Sequence, residues 1–360
     1  MNIKKLALLS ATGLLSLAAV RAQVEINISG AVAFRDTAYR AIRNLYGANL
    51  VSQNPADSPT ASSQLKVNWT GTIPALFGNQ AVTVRAFYNG AVAGIQDLTQ
   101  DRSVLFLNTT TPGDTNTVAL KSDLALSSVF QRSTVYTTPT LDDARFGVTP
   151  ITLVRSTTAS SGITNINSQQ FRTLAANGSL PTWFFSGNTN EVNPVVFINR
   201  DPTAGQRVVL FKDSGFNGSP ISYTWDIPSS SFVIDPTGRT APQIQTQLNT
   251  AGPAISFLVT LDAFGVNGGA NVLAYNGSLP FRGTFNNVAN DFTPVINGQY
   301  SLWVYEHIFS RSTASANVRS FRDALIRAID TELQISAFSI PLSKMRVERV
   351  ADGAPVAPVE

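Results

Sequence analysis

Along this chain, stretches of apolar or alternating residues take turns with stretches of helical spacing. Residues 24–28 alternate with period two and run into Gly30-Ala31, which predicts a strand. Residues 36–46 place Ala38, Ile42, Leu45 and Tyr46 on one helical face. Residues 80–88 read as a second strand, Asn89-Gly90 as a turn, and 91–98 as a helix. A short strand over 123–126 then ends at Ser127-Ser128. Strand, loop, helix, strand, loop, helix, strand is the grammar of an open, mainly parallel sheet.

A second round starts near Phe146, with an apolar strand over 146–154. Asn167 or Ser168 can cap a helix that runs to Ala176 and stops at Asn177-Gly178. Residues 194–198 form the next strand and deliver the chain into a loop at Arg200. Periodicity leaves 208–215 open between strand and helix, and 220–241 reads as an insertion rich in turn residues. Residues 242–250 are helical, 254–261 apolar, and 272–275 a short strand closed by the turn signal Asn276-Gly277. Residues 300–308 are a buried aromatic stretch, and 318–329 an amphipathic helix with Phe321, Leu325 and Ile329 spaced at four. The tail from Ala351, with Pro355 and Pro358, is expected to be disordered.

The ends and the charge change the picture. Lys4 and Lys5, an apolar or small-residue run over 6–20 and the small residues around Arg21 give the layout of a secretory signal peptide, cleaved before Gln23. The apolar run is too short for a comfortable membrane span, and no other window suits one. With no cysteine there are no disulfides, no thiolate metal site and no lipid-modified N-terminal cysteine. Three of the 26 bases, Lys4, Lys5 and Arg21, and none of the 23 acids lie in the first 22 residues, so the remainder is formally neutral at 23 of each. No basic stripe with interleaved aromatics points to nucleic acid.

Several stretches in order then carry a resemblance. They are "ISGAVAFRDTAYRAI", "VRAFYNGAVAGIQDL", "DLALSSVFQ", "VVFINRDPTAGQR", "AISFLVTLDAFG" and "YSLWVYEHIF". Together the chain resembles the periplasmic phosphate-binding proteins of ABC-type transporters, within the type II periplasmic binding fold. The resemblance implies an α/β protein of two lobes with mainly parallel sheets and two hinge crossings, near 134–146 and 259–264. It implies a signal peptide over 1–22, a first lobe from 23–135 and 262–350, a second lobe over 136–261, and a tail at 351–360. It also implies a periplasmic or secreted monomer that binds phosphate or another small oxyanion without a cofactor or metal, docks to ABC permease subunits and is not an enzyme.

In that family an oxyanion is held by hydroxyls, by backbone N–H groups at helix N-termini and by an Arg-Asp pair, with the Arg adding a bidentate fork. Carried over residue by residue, the pair is Arg200 and Asp201, in a loop that continues Ala204-Gly205-Gln206 where the family has Ser-Gly-Thr. The first-lobe positions are Ala33 and Phe34, Gly90 and Ala91, and Ser127 and Ser128. The family places a hydroxyl near Ala33, a Ser at 91 and an Asp at 128, the last accepting the proton of hydrogenphosphate. Each lost hydroxyl removes a net ~1 kcal/mol. Three or four losses weaken binding by roughly two to four decades. The alternative is therefore the same fold with a decayed anion site, serving a structural or adhesion role or a different ligand.

Rival sites read as structural. His307 is the sole histidine and sits in the aromatic stretch beside Glu306. Asp142-Asp143 and Asp262 offer carboxylates for glycoside hydrolysis, but read as an exposed turn and a hinge cap. "GVNGGANV" lacks the Lys and Ser/Thr of a P-loop and reads as a turn. Trp183, Phe184 and Phe185 read as core.

Overall fold

The computed structural model describes residues 23–58 and 60–359. The signal segment expected over 1–22 lies outside the described residues. The chain opens as the apolar pattern predicts, with strand β1 (Val24–Gly30) followed by helix α1 (Arg35–Tyr46), which buries Ala38, Ile42 and Tyr46. Two strands the pattern did not predict follow, β2 (Leu50–Asn54) and β3 (Lys66–Thr72). Their buried faces carry amides, which hides them from a hydrophobic reading. Gln53 donates to Tyr39 Oη at 2.7 Å, and Asn68 to the Leu107 carbonyl at 3.0 Å. After the short helix α2 (Pro74–Phe77) come β4 (Ala81–Phe87), α3 (Ala91–Thr99), the hairpin β5 (Ser103–Leu107) and β6 (Thr117–Lys121), and β7 (Leu124–Ser127).

The long strand β8 (Asp142–Arg155) begins the second round. Then come β9 (Asn165–Ile166), α4 (Ser168–Asn177), β10 (Ser179–Pro181), α5 (Trp183–Ser186), β11 (Pro194–Phe197) and α6 (Gly205–Ser214). Helix α4 has the expected stops: Asn167 closes a capping box with Gln170, and Gly178 ends it at φ 73°. The segment left open at 208–215 is the helix α6, ended by Gly215 in the left-handed region. The expected insertion holds a hairpin, β12 (Tyr223–Asp226) with β13 (Ser231–Ile234). Helix α7 (Ala241–Thr250), β14 (Ala254–Val259), α8 (Thr260–Phe264) and β15 (Val272–Tyr275) follow. The chain ends with α9 (Thr293–Ile296), β16 (Trp303–Ser310), α10 (Ala316–Leu333), β17 (Ile340–Pro341), β18 (Val347–Glu348) and β19 (Ala357–Pro358). In α10 the three residues at four-residue spacing, Phe321, Leu325 and Ile329, are all buried.

One sheet runs β10-β11-β14-β8-β16-β7-β1-β4-β3-β2. The pairing is mixed. The parallel neighbours expected from the sequence are β7–β1–β4 and β11–β14, and antiparallel strands join and extend them. The join is β8: Asp142 to Pro150 pairs with β16, and Ile151 to Arg155 pairs with β14. The change of partner falls at Pro150-Ile151, beyond the 134–146 segment expected for it. Strand β14 runs directly into α8 at Val259-Thr260.

Three further expectations meet a different arrangement. The chain does not leave the second half of the sheet at residue 262, because β15 turns back antiparallel onto Leu153 and Val154. Asp142-Asp143 is not an exposed turn but the start of β8, where Asp143 Oδ1 lies 2.8 Å from His307 Nδ1. The tail is not disordered: β19 pairs with β18, and Asp352 accepts from the Phe130 N–H at 3.0 Å. Just before it, the Arg349 guanidinium lies 3.5 Å over the Trp303 ring.

Two residues of this framework give direct tests. Gly30 ends β1 at φ +122°, and a Cβ there would lie 1.9 Å from the Leu126 carbonyl oxygen. Gly30→Ala is expected to lose at least about 2 kcal/mol in urea denaturation. Glu306 is fully buried in β16, its carboxylate oxygens show no close hydrogen-bond partner among the described residues, and burial, opposed by Thr149, holds its pKa well above the usual carboxylate range. A raised folded pKa gives stability that is complete below the unfolded value and is lost as pH climbs toward the folded one. Stability measured against pH should therefore fall for wild type relative to Glu306→Gln by about 1.4 kcal/mol per pH unit above pH ~4.5, with no difference in slope below it. Parallel curves for the two proteins would mean the carboxyl is ionised in place.

Candidate functional site

Four loops leave the C-terminal ends of β1, β4, β7 and β11 and converge on a cleft of about 200 Å³. This is where an open α/β sheet places ligands, because the strands end together and helices begin there. Of the residues expected from the sequence, Gly90, Ala91, Ser128, Arg200, Asp201, Ala204, Gly205 and Gln206 line the cleft. Ala33, Phe34 and Ser127 do not. Phe34 turns into the core and meets Phe146 edge-on, with ring centroids 4.9 Å apart, and Ala33 is buried beside it. The Ser127 hydroxyl is spent inside its own turn, donating to the Val129 carbonyl and accepting from the Val129 N–H. Ala31 and Val32 form the first-loop wall instead.

Arg200 is the centre of the site. Its backbone is fixed by a bridge to Arg239: the Arg239 N–H donates to Asn199 and the Asp201 N–H to Arg239. Gly238 makes that approach possible at φ +74°, since a Cβ would lie 2.3 Å from the Arg200 carbonyl oxygen. The side chain is only 2% exposed, and Nε and Nη1 have no hydrogen-bond partner among the described residues. The nearest carboxylate oxygen, Asp201 Oδ2, stands 4.0 Å from Nη2. Asp201 is occupied elsewhere, its Oδ1 accepting from both the N–H and the hydroxyl of Thr203. Desolvation lowers the Arg200 pKa from its ordinary value, and the Asp201 and Asp262 charges oppose that shift.

Other groups share the cleft. Helix α6 starts at Gly205 with no side-chain cap at Ala204; the Arg207 N–H donates to the Ala204 carbonyl at 3.1 Å, and the Gly205 and Gln206 N–H groups open the helix. Among the described residues the buried Ser128 hydroxyl has no hydrogen-bond partner, nor does the Tyr88 hydroxyl, whose pKa burial raises. Sequence reasoning missed Tyr88 because it reads there as a strand residue. It also missed Thr203, whose carbonyl accepts from the Val92 N–H at 3.0 Å and so caps α3 from the opposite side of the cleft. Small residues permit the contact: a Cβ on Gly90 would lie 2.3 Å from Thr203 Oγ1, and one on Gly205 2.3 Å from Ser128 Oγ. The two sides of the cleft are thus closed on each other.

Beneath the cleft, Arg35 and Asp262 form a buried pair at 3.1 Å. The remaining Arg35 donors reach the Ser63 and Val32 carbonyls, so this cation is satisfied within the chain. Asp262 thus holds α1 to the start of α8. His307, stacked on Phe309 and paired with Asp143, lies away from the cleft, and its Nε2 has no partner. Trp183 is 42% exposed and Phe185 is buried, and neither lines the cleft.

No family model matches the chain, and no curated protein does. Solved structures do. A phosphate ABC transporter substrate-binding protein of Clostridium perfringens, with bound phosphate, superposes with a TM-score of 0.57 at 11% identity, over 88% of this chain and 99% of that one. An ABC-type phosphate transport receptor of Vibrio cholerae gives 0.47 at 14% identity, over 84% and 93%. An OxyR mutant of Porphyromonas gingivalis gives 0.43 at 10% identity, over 92% and 98%. The chain therefore has the α/β fold of the two-lobed type II periplasmic binding proteins, and its structure is similar to that of phosphate ABC transporter substrate-binding proteins.

Proposed function

We propose that this chain is an exported receptor for a small oxyanion, phosphate or a relative of it, working beside an ABC-type permease. The observation that carries the reading is Arg200, a guanidinium buried in the cleft with two nitrogens unpartnered and no carboxylate closer than 4.0 Å. An isolated buried cation is costly, and an anion seated against it would supply the missing acceptors. The uncapped start of α6 and the free Ser128 hydroxyl add donors of the right kind. The proposed ligand set is Arg200, Asp201, Ala204, Gly205 and Gln206 on one side, with Gly90, Ala91 and Ser128 on the other. Export rests on the signal-peptide pattern of residues 1–22. A monomer that opens and closes about β8 and the β14–α8 passage fits this role. Among the described residues, no helix is long and apolar enough to cross a membrane.

A second reading is favoured by one contact. The first turn of α3, which would face an anion, already gives its Val92 N–H to Thr203. That suits a cleft closed on itself, in a binding-protein fold that serves as a structural or adhesion module.

Two measurements separate these readings. The first is a thermal melt of the mature chain with millimolar phosphate, sulfate or arsenate. Anion at a hundred times its dissociation constant should stabilise by about 2.7 kcal/mol, a shift of a few degrees, and Arg200→Ala should abolish the shift. No shift with any anion would leave the second reading. The other is urea denaturation of Arg200→Met in anion-free buffer. The variant is expected to be no less stable than wild type, because it removes two buried guanidinium nitrogens that have no hydrogen-bond partner among the described residues. A loss of stability would mean that the guanidinium has a partner within the chain.

A further inference from the structure

The cleft is larger and more apolar than a bare oxyanion requires. About 10–15 Å³ of such volume seats one water, and a single tetrahedral ion fills only a fraction of the roughly 200 Å³ present. Its polar lining includes Arg200, Asp201, Ser128 and the start of α6, and Val32, Leu65, Phe87, Tyr88 and Pro242 add apolar wall. Leu65 and Phe87 also line a second groove of about 650 Å³, which continues past Lys66 toward Gly113, Asp114 and Thr115. Lys66 Nζ sits 4.5 Å over the Phe87 ring, and desolvation lowers its pKa. The inner cleft and the outer groove thus share an apolar threshold.

Among the described residues Asp201 is the one carboxylate residue that lines the cleft, and both its oxygens are directed at groups of the chain itself. Asp201 Oδ1 is held by Thr203, and its Oδ2 faces Arg200 at 4.0 Å. A head group that carries no proton suits one guanidinium, one hydroxyl and a helix N-terminus better than a protonated one does.

We propose that the ligand is an organic anion, with a fully ionised carboxylate or sulfonate head on Arg200 and an apolar body of aromatic size against Leu65 and Phe87. This rests on the anion-receptor reading above and names its substrate class. The apolar threshold supplies affinity where lost hydroxyls cannot, because burying a ring against apolar side chains is favourable without directional partners.

The test is calorimetric titration of the mature chain with benzenesulfonate, benzoate, sulfate, acetate and phosphate, repeated on Leu65→Ser, Phe87→Ser and Arg200→Met, with folding checked by circular dichroism. At least one aromatic anion should bind tenfold or more tightly than its inorganic or methyl counterpart. Leu65→Ser should cut that advantage to threefold or less without changing affinity for sulfate, and Phe87→Ser, if folded, should do the same. Arg200→Met should lose all binding. Equal affinity for benzenesulfonate and sulfate, or phosphate as the tightest probe, would overturn the organic-ligand inference and keep the anion receptor. An aromatic advantage untouched in Leu65→Ser would overturn the placement of the body. Failure of every probe would overturn both.

Discussion

The geometry of the cleft depends on β8, a strand of fourteen residues that changes partners midway. Eight of its first nine residues pair with β16, Phe146 falling at a register shift, and its last five with β14. Each part of β8 belongs to its own antiparallel ladder, so the two halves of the sheet are joined through one strand rather than by a loose linker. Everything at the site follows from that placement. The loops after β1, β4 and β7 come from one half, the loop after β11 comes from the other, and only the shared strand brings Ser128 and Gly205 into contact. The buried Arg35–Asp262 pair braces the same region from below, and its carboxylate sits at the second passage between the halves.

Against that scaffold, Arg200 is a deliberate misfit. Buried polar groups in folded proteins are nearly always paired. Arg35, a short distance away, follows the rule with a carboxylate and two carbonyls. Arg200 breaks it while lying in a cleft lined by other unpaired groups, Ser128 and Tyr88. Buried polar atoms without a partner also occur at Glu306 and Arg349, but at Arg200 they coincide with a cleft, which is where a local violation of polar satisfaction points to something outside the chain. The cap that Thr203 gives to α3 pulls the other way, since it ties one helix N-terminus into the protein itself. The cleft therefore has one well-formed anchoring end, not the ring of donors that would surround a bare tetrahedral ion.

The elements most legible in the sequence were those whose signals are local. Asn167 and Gln170 announce the start of α4 and Gly178 its end, because capping is a matter of residues three apart. The spacing of Phe321, Leu325 and Ile329 announces the buried face of α10. The segment after Gly205 gave no such signal, and it became a helix because the sheet needs cover on that face. The strands β2 and β3 were hidden because Gln53, Asn54 and Asn68 are buried amides whose partners lie far along the chain. Within the site, eight of the eleven expected residues line the cleft, while Ala33, Phe34 and Ser127 turn elsewhere. A loop sequence fixes which residues leave a strand, but not which of two neighbours faces the core.

The chain alone thus determined the alternation of strands and helices, the caps, and the loop that begins Arg200-Asp201, since all of these rest on residues a few positions apart. The tertiary structure decided that two nitrogens of Arg200 lack hydrogen-bond partners among the described residues, that Gly238 and Arg239 hold its backbone, that Thr203 caps α3, and that Asp352 ties the tail to Phe130. Each of these joins segments tens to hundreds of residues apart. Desolvation and pairing depend on what surrounds an atom in space, and linear order carries no record of that.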